Sequence, residues 1–340
     1  MIVVPIRVQI ILILLACCAA LACSKKEAPA EPVPETPAPD SAAAADTATP
    51  TADAPNGASP EAAPEPQPTV TVTSPGAEPR HVVRWKFQKD AEAKLSIAMN
   101  VTVQMTVDDE AQPATTTPPI NTILSLAVKE LGPDGDALVG FTVTEASMTK
   151  TDELSDDMAA KVNAALATMV GMEGSYRCAA RGFVSDVVAE APADAPAAVR
   201  QTVENIRQSI RQMMAPLPET AIGKGAEWTV DAAYQYSGMQ VTETALYKAT
   251  QVKPPKLAAS VTVDQKAPPQ TIVGANGQTG ELESLTTTSK GANRWNLQSL
   301  SALAAQRDTQ MEMIMKGASA DGTDHRIVMS IDFGVEMKKR

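Results

Sequence analysis

Residues 95–107 read LSIAMNVTVQMTV, and this stretch decides the fold. Every second position is apolar, from Leu95 through Met99 and Met105 to Val107, and the intervening positions are mostly polar. A period of two sustained over the whole stretch predicts a long β-strand with one buried and one solvated face.

The same alternation recurs on both sides of this strand. Residues 120–148 alternate around the turn Gly132–Asp136 and predict a hairpin. Tyr176–Val188 predicts a second, shorter hairpin, and further strands are predicted from Trp228 to the apolar positions Ile327–Val335. Most of the chain after residue 80 is therefore expected to be antiparallel sheet.

Two segments in the middle of the chain have helical spacing instead. Ser155, followed by two aspartates, is typical of a helix N-terminus, and the pattern extends to about Met172. Ala195–Met214 carries apolar residues at spacings of three and four. The predicted fold class is α+β, a mostly antiparallel, long-stranded, curved and half-barrel-like sheet with two inserted helices.

The N-terminus has the pattern of an export signal. Arg7 precedes the apolar run Ile10–Leu15, and Ala20–Cys23 is a small-residue cleavage site ending in cysteine. The apolar run is shorter than the roughly 20 residues of a membrane-spanning helix but fits a signal peptide. The segment resembles the signal and lipobox of bacterial lipoproteins, although Ala20 stands where leucine is usual. The resemblance implies that Cys23 becomes the acylated first residue.

Leu14–Cys17 is a competing match to the same cleavage pattern. Cleavage there would leave the apolar peptide Cys17–Ala22 on the mature protein, so we expect the lipid on Cys23. By analogy with the sorting of lipoproteins, Ser24 after that cysteine favours the outer membrane, with the protein facing the periplasm or the surface.

The following segment is rich in proline and alanine and contains nine acids and two lysines between residues 24 and 79. Such a composition cannot bury enough apolar surface to fold alone. We therefore expect three regions: a signal peptide over 1–22, the lipidated cysteine with a disordered linker over 23–79, and a β-rich globular domain over 80–340.

Composition argues against a nucleic-acid-binding protein and against a protein stabilised by internal disulfides. The formal net charge is −11, and the chain has no cluster of basic residues of the kind that binds nucleic acid. After removal of the signal and acylation of Cys23, only Cys178 remains as a thiol. No internal disulfide is expected, although an exported protein could form one, and Cys178 is expected to be buried.

Enzymatic and metal-binding motifs are absent from the sequence. The two histidines, His81 and His325, belong to no metal or nucleophile pattern, and we predict no catalytic residue, no metal and no cofactor. Asp134–Asp136 and Asp321–Asp324 are interpreted as turns, and the glycine-rich residues 274–280 as a loop. A hydrolase based on paired carboxylates stays open, because sequence does not show which acids meet.

The methionine content is the one feature of the predicted sheet that suggests a function. Aromatic residues make up only 3% of the chain, which has 15 methionines. Thioethers suit adaptable apolar surfaces, so Met99, Met105, Met313 and Met329 are predicted to line a site for a lipid-like ligand. The alternative is that they form an ordinary core between sheet and helices.

The long amphipathic strands, inserted helices and lipobox resemble the periplasmic half-barrels of the lipoprotein-carrier type. The segment Pro216–Trp228 is similar to one in uncharacterised secreted bacterial lipoproteins. The resemblance implies a sheet curved around helices with an apolar interior, and it transfers no functional residues. We expect a non-catalytic envelope lipoprotein, held on the membrane by its lipid, that binds an apolar ligand or an envelope protein. A structural or adhesive envelope module and a hydrolase are the alternatives.

Overall fold

A computed structural model describes residues 67–340 apart from short gaps. The gaps are residues 152–153, 190–202, 204–205, 208–209, 212, 237–238, 274–278 and 319–322. The predicted signal peptide, Cys23 and most of the predicted linker lie outside the described residues, as does most of the glycine-rich loop.

The described chain forms one open, antiparallel sheet of fourteen strands. The strands are β1 Thr69–Ser74, β2 Glu92–Val107, β3 Glu110–Ala111, β4 Thr115–Leu131, β5 Ala137–Met148, β6 Glu173–Cys178, β7 Val184–Ala189, β8 Glu227–Tyr236, β9 Met239–Lys253, β10 Lys256–Ala267, β11 Gln270–Val273, β12 Thr279–Asn296, β13 Ala302–Ala318 and β14 Asp324–Lys339. Their order across the sheet is β1-β8-β9-β10-β12-β13-β14-β2-β4-β5-β6-β7, with β11 paired to β12 and β3 to β2.

The strands follow the predicted period of two. Strand β2 spans the stretch from Leu95 to Val107, with its odd-numbered residues facing inward. Strands β4 and β5 form the predicted hairpin, and Gly135 takes the positive φ of 80° that its turn requires. The mostly antiparallel fold class is confirmed, and the sheet is open rather than closed on itself.

Strand β1 lies before residue 80, at the end of the predicted linker, where the alternation of Val70 and Val72 with threonines predicts a short strand. Residues Thr69–Ser74 pair with β8, and Ala77 donates a backbone hydrogen bond of 2.9 Å to the carbonyl of Lys224. The ordered part of the chain therefore begins before residue 80.

An extended segment, residues 81–91, joins distant parts of the sheet. His81 pairs with Ile222, Trp85 donates to the carbonyl of Ala180 at 2.8 Å, and Lys86 donates to the carbonyl of Leu297 at 2.7 Å. Because Ala180 follows β6 and Leu297 follows β12, this segment links turns from widely separated strands. The sheet must curve for one segment to reach both.

Two apolar clusters fill the inner face of the curved sheet. The tryptophan cluster contains Trp85, Trp228 and Trp295 and draws residues from both ends of the sheet, such as Tyr176 and Val230. The methionine cluster has these buried members: Val101, Val103, Ile120, Met148, Ala159, Val162, Leu166, Met239, Val241, Ala267, Leu282, Leu285, Met313, Met315, Ile327, Met329 and Ile331.

One helix with defined bounds, α1 Asp156–Ala167, interrupts the strands of the described chain. It begins after Ser155, as predicted, but ends before Met172. Gly171 donates to the carbonyl of Val143 at 2.8 Å, and Val143 donates back to Met172 at 2.9 Å, so these residues pair with β5 instead of continuing the helix.

The prediction of two inserted helices is corrected to one for the described chain. Most of the second segment, residues 195–214, lies outside the described residues. Its described members Val203 and Ile210 are buried in the tryptophan cluster. An apolar stripe is buried once it meets a core, but the spacing alone does not fix where a helix begins or ends.

Candidate functional site

The four predicted methionines lie on the inner face of adjacent strands. Met105 on β2 is the registered partner of Met329 on β14, and Met329 pairs with Met313 on β13. Met99 lies on the same face of β2, opposite Val335. Met313 and Met329 are 1% and 5% exposed, whereas Met99 and Met105 are half-buried and pack against the methionine cluster.

Helix α1 covers the methionine end of the sheet. Ala159, Val162 and Leu166 belong to the methionine cluster, and the side-chain oxygen of Asn163 accepts a hydrogen bond of 2.9 Å from the backbone of Met148. The fully buried methionines therefore act as packed core between sheet and helix. The half-buried methionines, Met99 and Met105, lie at or beyond the edge of the region that packs with helix α1.

The inner face is less covered between the two clusters. We call the half-buried apolar residues Ile97, Met99, Phe333, Val335 and Met337 the central patch. Ile97 and Met337 pack against the tryptophan cluster, and Met99 and Phe333 against the methionine cluster, whereas Val335 belongs to neither. The central patch is thus a partly exposed apolar surface on strands β2 and β14.

A charged residue lies beside the central patch. Arg307 on β13 is opposite Val335 on one side and Gly291 on the other. It has the same inward parity as Thr309 and Met313, and it is half-buried. Arg307 makes no hydrogen bond or ion pair with any residue that the structure describes.

The same row of the sheet continues from Gly291 to Val261 and then to Tyr247. Tyr247 stacks on Trp228, with ring centroids 5.0 Å apart and an interplanar angle of 6°. Burial raises the pKa of Tyr247 to about 12, while the positive charge of Arg307 acts to lower it and the negative charge of Glu243 to raise it. Both charges therefore act electrostatically on the same buried phenol.

Glu243 is the inward-facing acid of strand β9, and its carboxylate already has donors. The hydroxyl of Tyr234 donates to Glu243 Oε2 at 3.1 Å, and the amide of Gln265 donates to the same oxygen at 2.7 Å. Gln265 Nε2 also lies 2.9 Å from the Tyr234 hydroxyl. This three-residue group satisfies Glu243 without a cation.

Strand β12 brings further polar side chains to the inner face. The hydroxyls of Ser289 and Thr309 are 2.7 Å apart and buried. Thr287 is only 4% exposed, yet its hydroxyl has no hydrogen-bond partner within the described structure. Buried hydroxyls usually have a hydrogen-bond partner, so the Thr287 hydroxyl is unusual. With these hydroxyls, the inner face at β12 and β13 is not purely apolar.

The acidic and histidine side chains of the described residues are the candidates for metal binding or acid–base chemistry. No group of three or more His, Cys, Asp or Glu side chains within them is arranged to hold a metal ion. Asp136 in the predicted turn pairs with Arg177 at 2.8 Å. His325 contacts Asp108, with Nδ1 and Oδ2 2.5 Å apart.

Neither models of known protein families nor curated proteins give a match to this chain. In the part of the chain that the structure describes, no helix combines the length and apolar character needed to cross a bilayer. The site must therefore be interpreted from its own geometry.

The polar residues of the inner face were not predicted from the sequence. Arg307 alternates in register with Thr309, Met311 and Met313, so a charged residue at an inward position was visible as a break in the apolar pattern. The sequence did not show that this position lies next to Val335, because that neighbour is 28 residues away on another strand.

Proposed function

We propose that the protein is a non-catalytic lipoprotein of the cell envelope, tethered through an acyl group on Cys23, whose curved sheet binds an apolar or amphipathic ligand. The observation that carries this proposal is the central patch. It leaves Ile97, Phe333 and Val335 partly exposed on the inner face of the sheet, between two ends that are packed. Partly exposed apolar surface in a concave setting is the usual character of a ligand site.

Tethering and ligand binding are separate parts of the proposal. The signal and lipobox pattern of residues 7–23 supports membrane attachment, on the outer membrane and facing the periplasm or the surface. The proline-rich residues that follow would hold the domain away from the bilayer. Ligand binding is supported by the inner face alone.

Attachment is tested by replacing the cysteine. Cys23→Ala should release the protein from membrane fractions or leave the signal uncleaved, whereas the matched variant Cys17→Ala should still be processed and membrane-bound. If Cys17→Ala is the variant that loses the membrane, the lipid is on the competing cysteine.

Ligand binding is tested by native mass spectrometry of the mature chain produced without its acyl group. Bound lipid-like mass is expected on the wild-type protein and should be lost in Val335→Glu, which places a charge in the central patch. Leu246→Glu is the control, because Leu246 is a strand residue on the outer face and is 42% exposed. A wild-type spectrum without extra mass, and no binding of added amphiphiles, would contradict the proposal and favour a structural module.

A further inference from the structure

The inner face of the central strands carries two ionised side chains in very different situations. Glu243 accepts hydrogen bonds from Tyr234 and Gln265. Arg307 is half-buried and has no hydrogen-bond or ion-pair partner among the described residues. A partly desolvated cation without a direct ion-pair partner is unfavourable, so we expect an anionic group of a ligand to bind at this position.

Strand β12 does not cover the side chain of Arg307 with a side chain of its own. The neighbour of Arg307 across β12 is Gly291, which has no side chain to fill the space beside the guanidinium. A Cβ atom at Gly291 would lie only 2.1 Å from the carbonyl oxygen of Gln306, so the close approach of the two strands requires glycine. Strand β12 therefore places no side chain against Arg307 in this row.

The other neighbour of Arg307 is apolar. Val335 is directly opposite it on β14, and Met99 follows Val335 on β2. A ligand that places an anionic group on Arg307 would therefore lay its remaining atoms on the central patch.

We propose that Arg307 binds the anionic head group of a single-chain or two-chain amphiphile whose hydrocarbon part lies on the central patch. This inference rests on the proposed ligand-binding function and names its ligand class. A guanidinium presents paired donors that match a carboxylate or a phosphate, so both head groups share the recognised chemistry.

The orientation of the ligand follows from the two charges. Glu243 lies on β9, three strands from β13, and would repel an anionic head group. The head group is therefore held at the β13 side of the face, next to Gly291, and away from the Tyr234–Glu243–Gln265 group.

The test compares amphiphiles that differ only in the head group. Dodecanoate, monododecyl phosphate and dodecanol are titrated against the mature, non-acylated chain, and affinities are measured by displacement of a fluorescent probe. Wild-type protein should bind the two anions about ten- to hundredfold more tightly than dodecanol, the range expected for a charge-assisted hydrogen bond. A stronger preference for the phosphate than for the carboxylate would identify a phosphate head group as the source.

Variants assign the preference to one side chain. Arg307→Gln should lose most of the preference for anions while dodecanol affinity changes little, and Arg307→Lys should retain part of it. Glu243→Gln is the control, because it changes the other inward charge and should keep or increase the preference. Circular dichroism checks that each variant is folded; if Arg307→Gln does not fold, the comparison of Arg307→Lys with wild type decides.

The outcomes separate this inference from the proposed function. Equal binding of anions and dodecanol by wild type, or an unchanged preference in both Arg307 variants, would overturn the role of Arg307 and leave ligand binding in place. Failure of all three amphiphiles to bind wild-type protein would overturn the proposed function and this inference together.

Discussion

Met329 on strand β14 lies directly opposite Met313 on strand β13, and both side chains are buried in the methionine cluster, to which helix α1 contributes Ala159, Val162 and Leu166. Met105 completes the row on β2 as the second registered partner of Met329. The row shows that methionine serves two purposes on one face. Met313 and Met329 are packed core, whereas Met105 at the end of the row is half-buried and Met99, farther along β2, belongs to the central patch.

Truncation should distinguish these two kinds of methionine. Met313→Ala should lower the free energy of unfolding by about 2–5 kcal/mol, because it leaves a cavity in a packed core. Met99→Ala should cost less, since Met99 is half-buried and its neighbourhood can relax or admit water. Urea unfolding followed by tryptophan fluorescence measures both, and equal losses would contradict the difference in packing.

The turn between β2 and β3 should make stability depend on pH at acid values. Hydrogen bonds from His325 and from the backbone of Arg326 hold the pKa of Asp108 below its ordinary value. The folded state therefore favours the ionised carboxylate. This contribution is present above the ordinary aspartate pKa of about 3.9 and is lost as the pH falls through the lower, folded value.

Asp108→Asn should remove this contribution while preserving the turn, because asparagine tolerates the positive φ of 48° at that position. The variant should be less stable than wild type at pH 5, and the difference should shrink as the pH approaches 2. Asp109→Asn is the matched control, since Asp109 also has a positive φ, of 69°, but makes none of these contacts. Thermal unfolding at several pH values provides the measurement.

Tyr247 should titrate at unusually high pH. Because burial raises its pKa from an ordinary value of 10.0 to about 12, the folded state favours the neutral phenol. Stability from this group is complete below pH 10 and declines as the pH rises toward 12. Tyr247→Phe should flatten this alkaline dependence.

Arg307→Gln should raise the pKa of Tyr247 further, because the positive charge of Arg307 acts to lower it. Ultraviolet absorption of tyrosinate, compared with and without Tyr247→Phe, assigns the transition. A Tyr247 titration unchanged in Arg307→Gln would contradict the electrostatic link between the two residues.

Cys178 should be unreactive in the native protein. It is a free, buried cysteine, and burial raises the pKa of its thiol to about 12, so little thiolate exists at neutral pH. In mature chain that begins after Cys23 it is the only thiol. A disulfide reagent should label it only in denaturant, in step with global unfolding; rapid labelling of native protein would contradict its burial.

The alternation of apolar and polar residues was enough to predict most strands. The hairpin of β4 and β5, the shorter hairpin of β6 and β7 and the start of α1 after Ser155 all follow from local patterns. These features are local because a strand of period two or a helix cap is specified by neighbours in sequence. The second helix and the boundary at residue 80 were less well specified, since their limits depend on contacts with the sheet.

By itself, the sequence determined which residues face inward, because that follows from the period along each strand. Only the tertiary structure decided which inward residues meet, because pairing of β14 with β2 joins residues more than 200 positions apart. That pairing placed Met105 and Met99 beside Met329 and Val335, whose other neighbours, on β13, are Met313 and Arg307. Register between distant strands depends on the packing of the whole sheet, which no local pattern encodes.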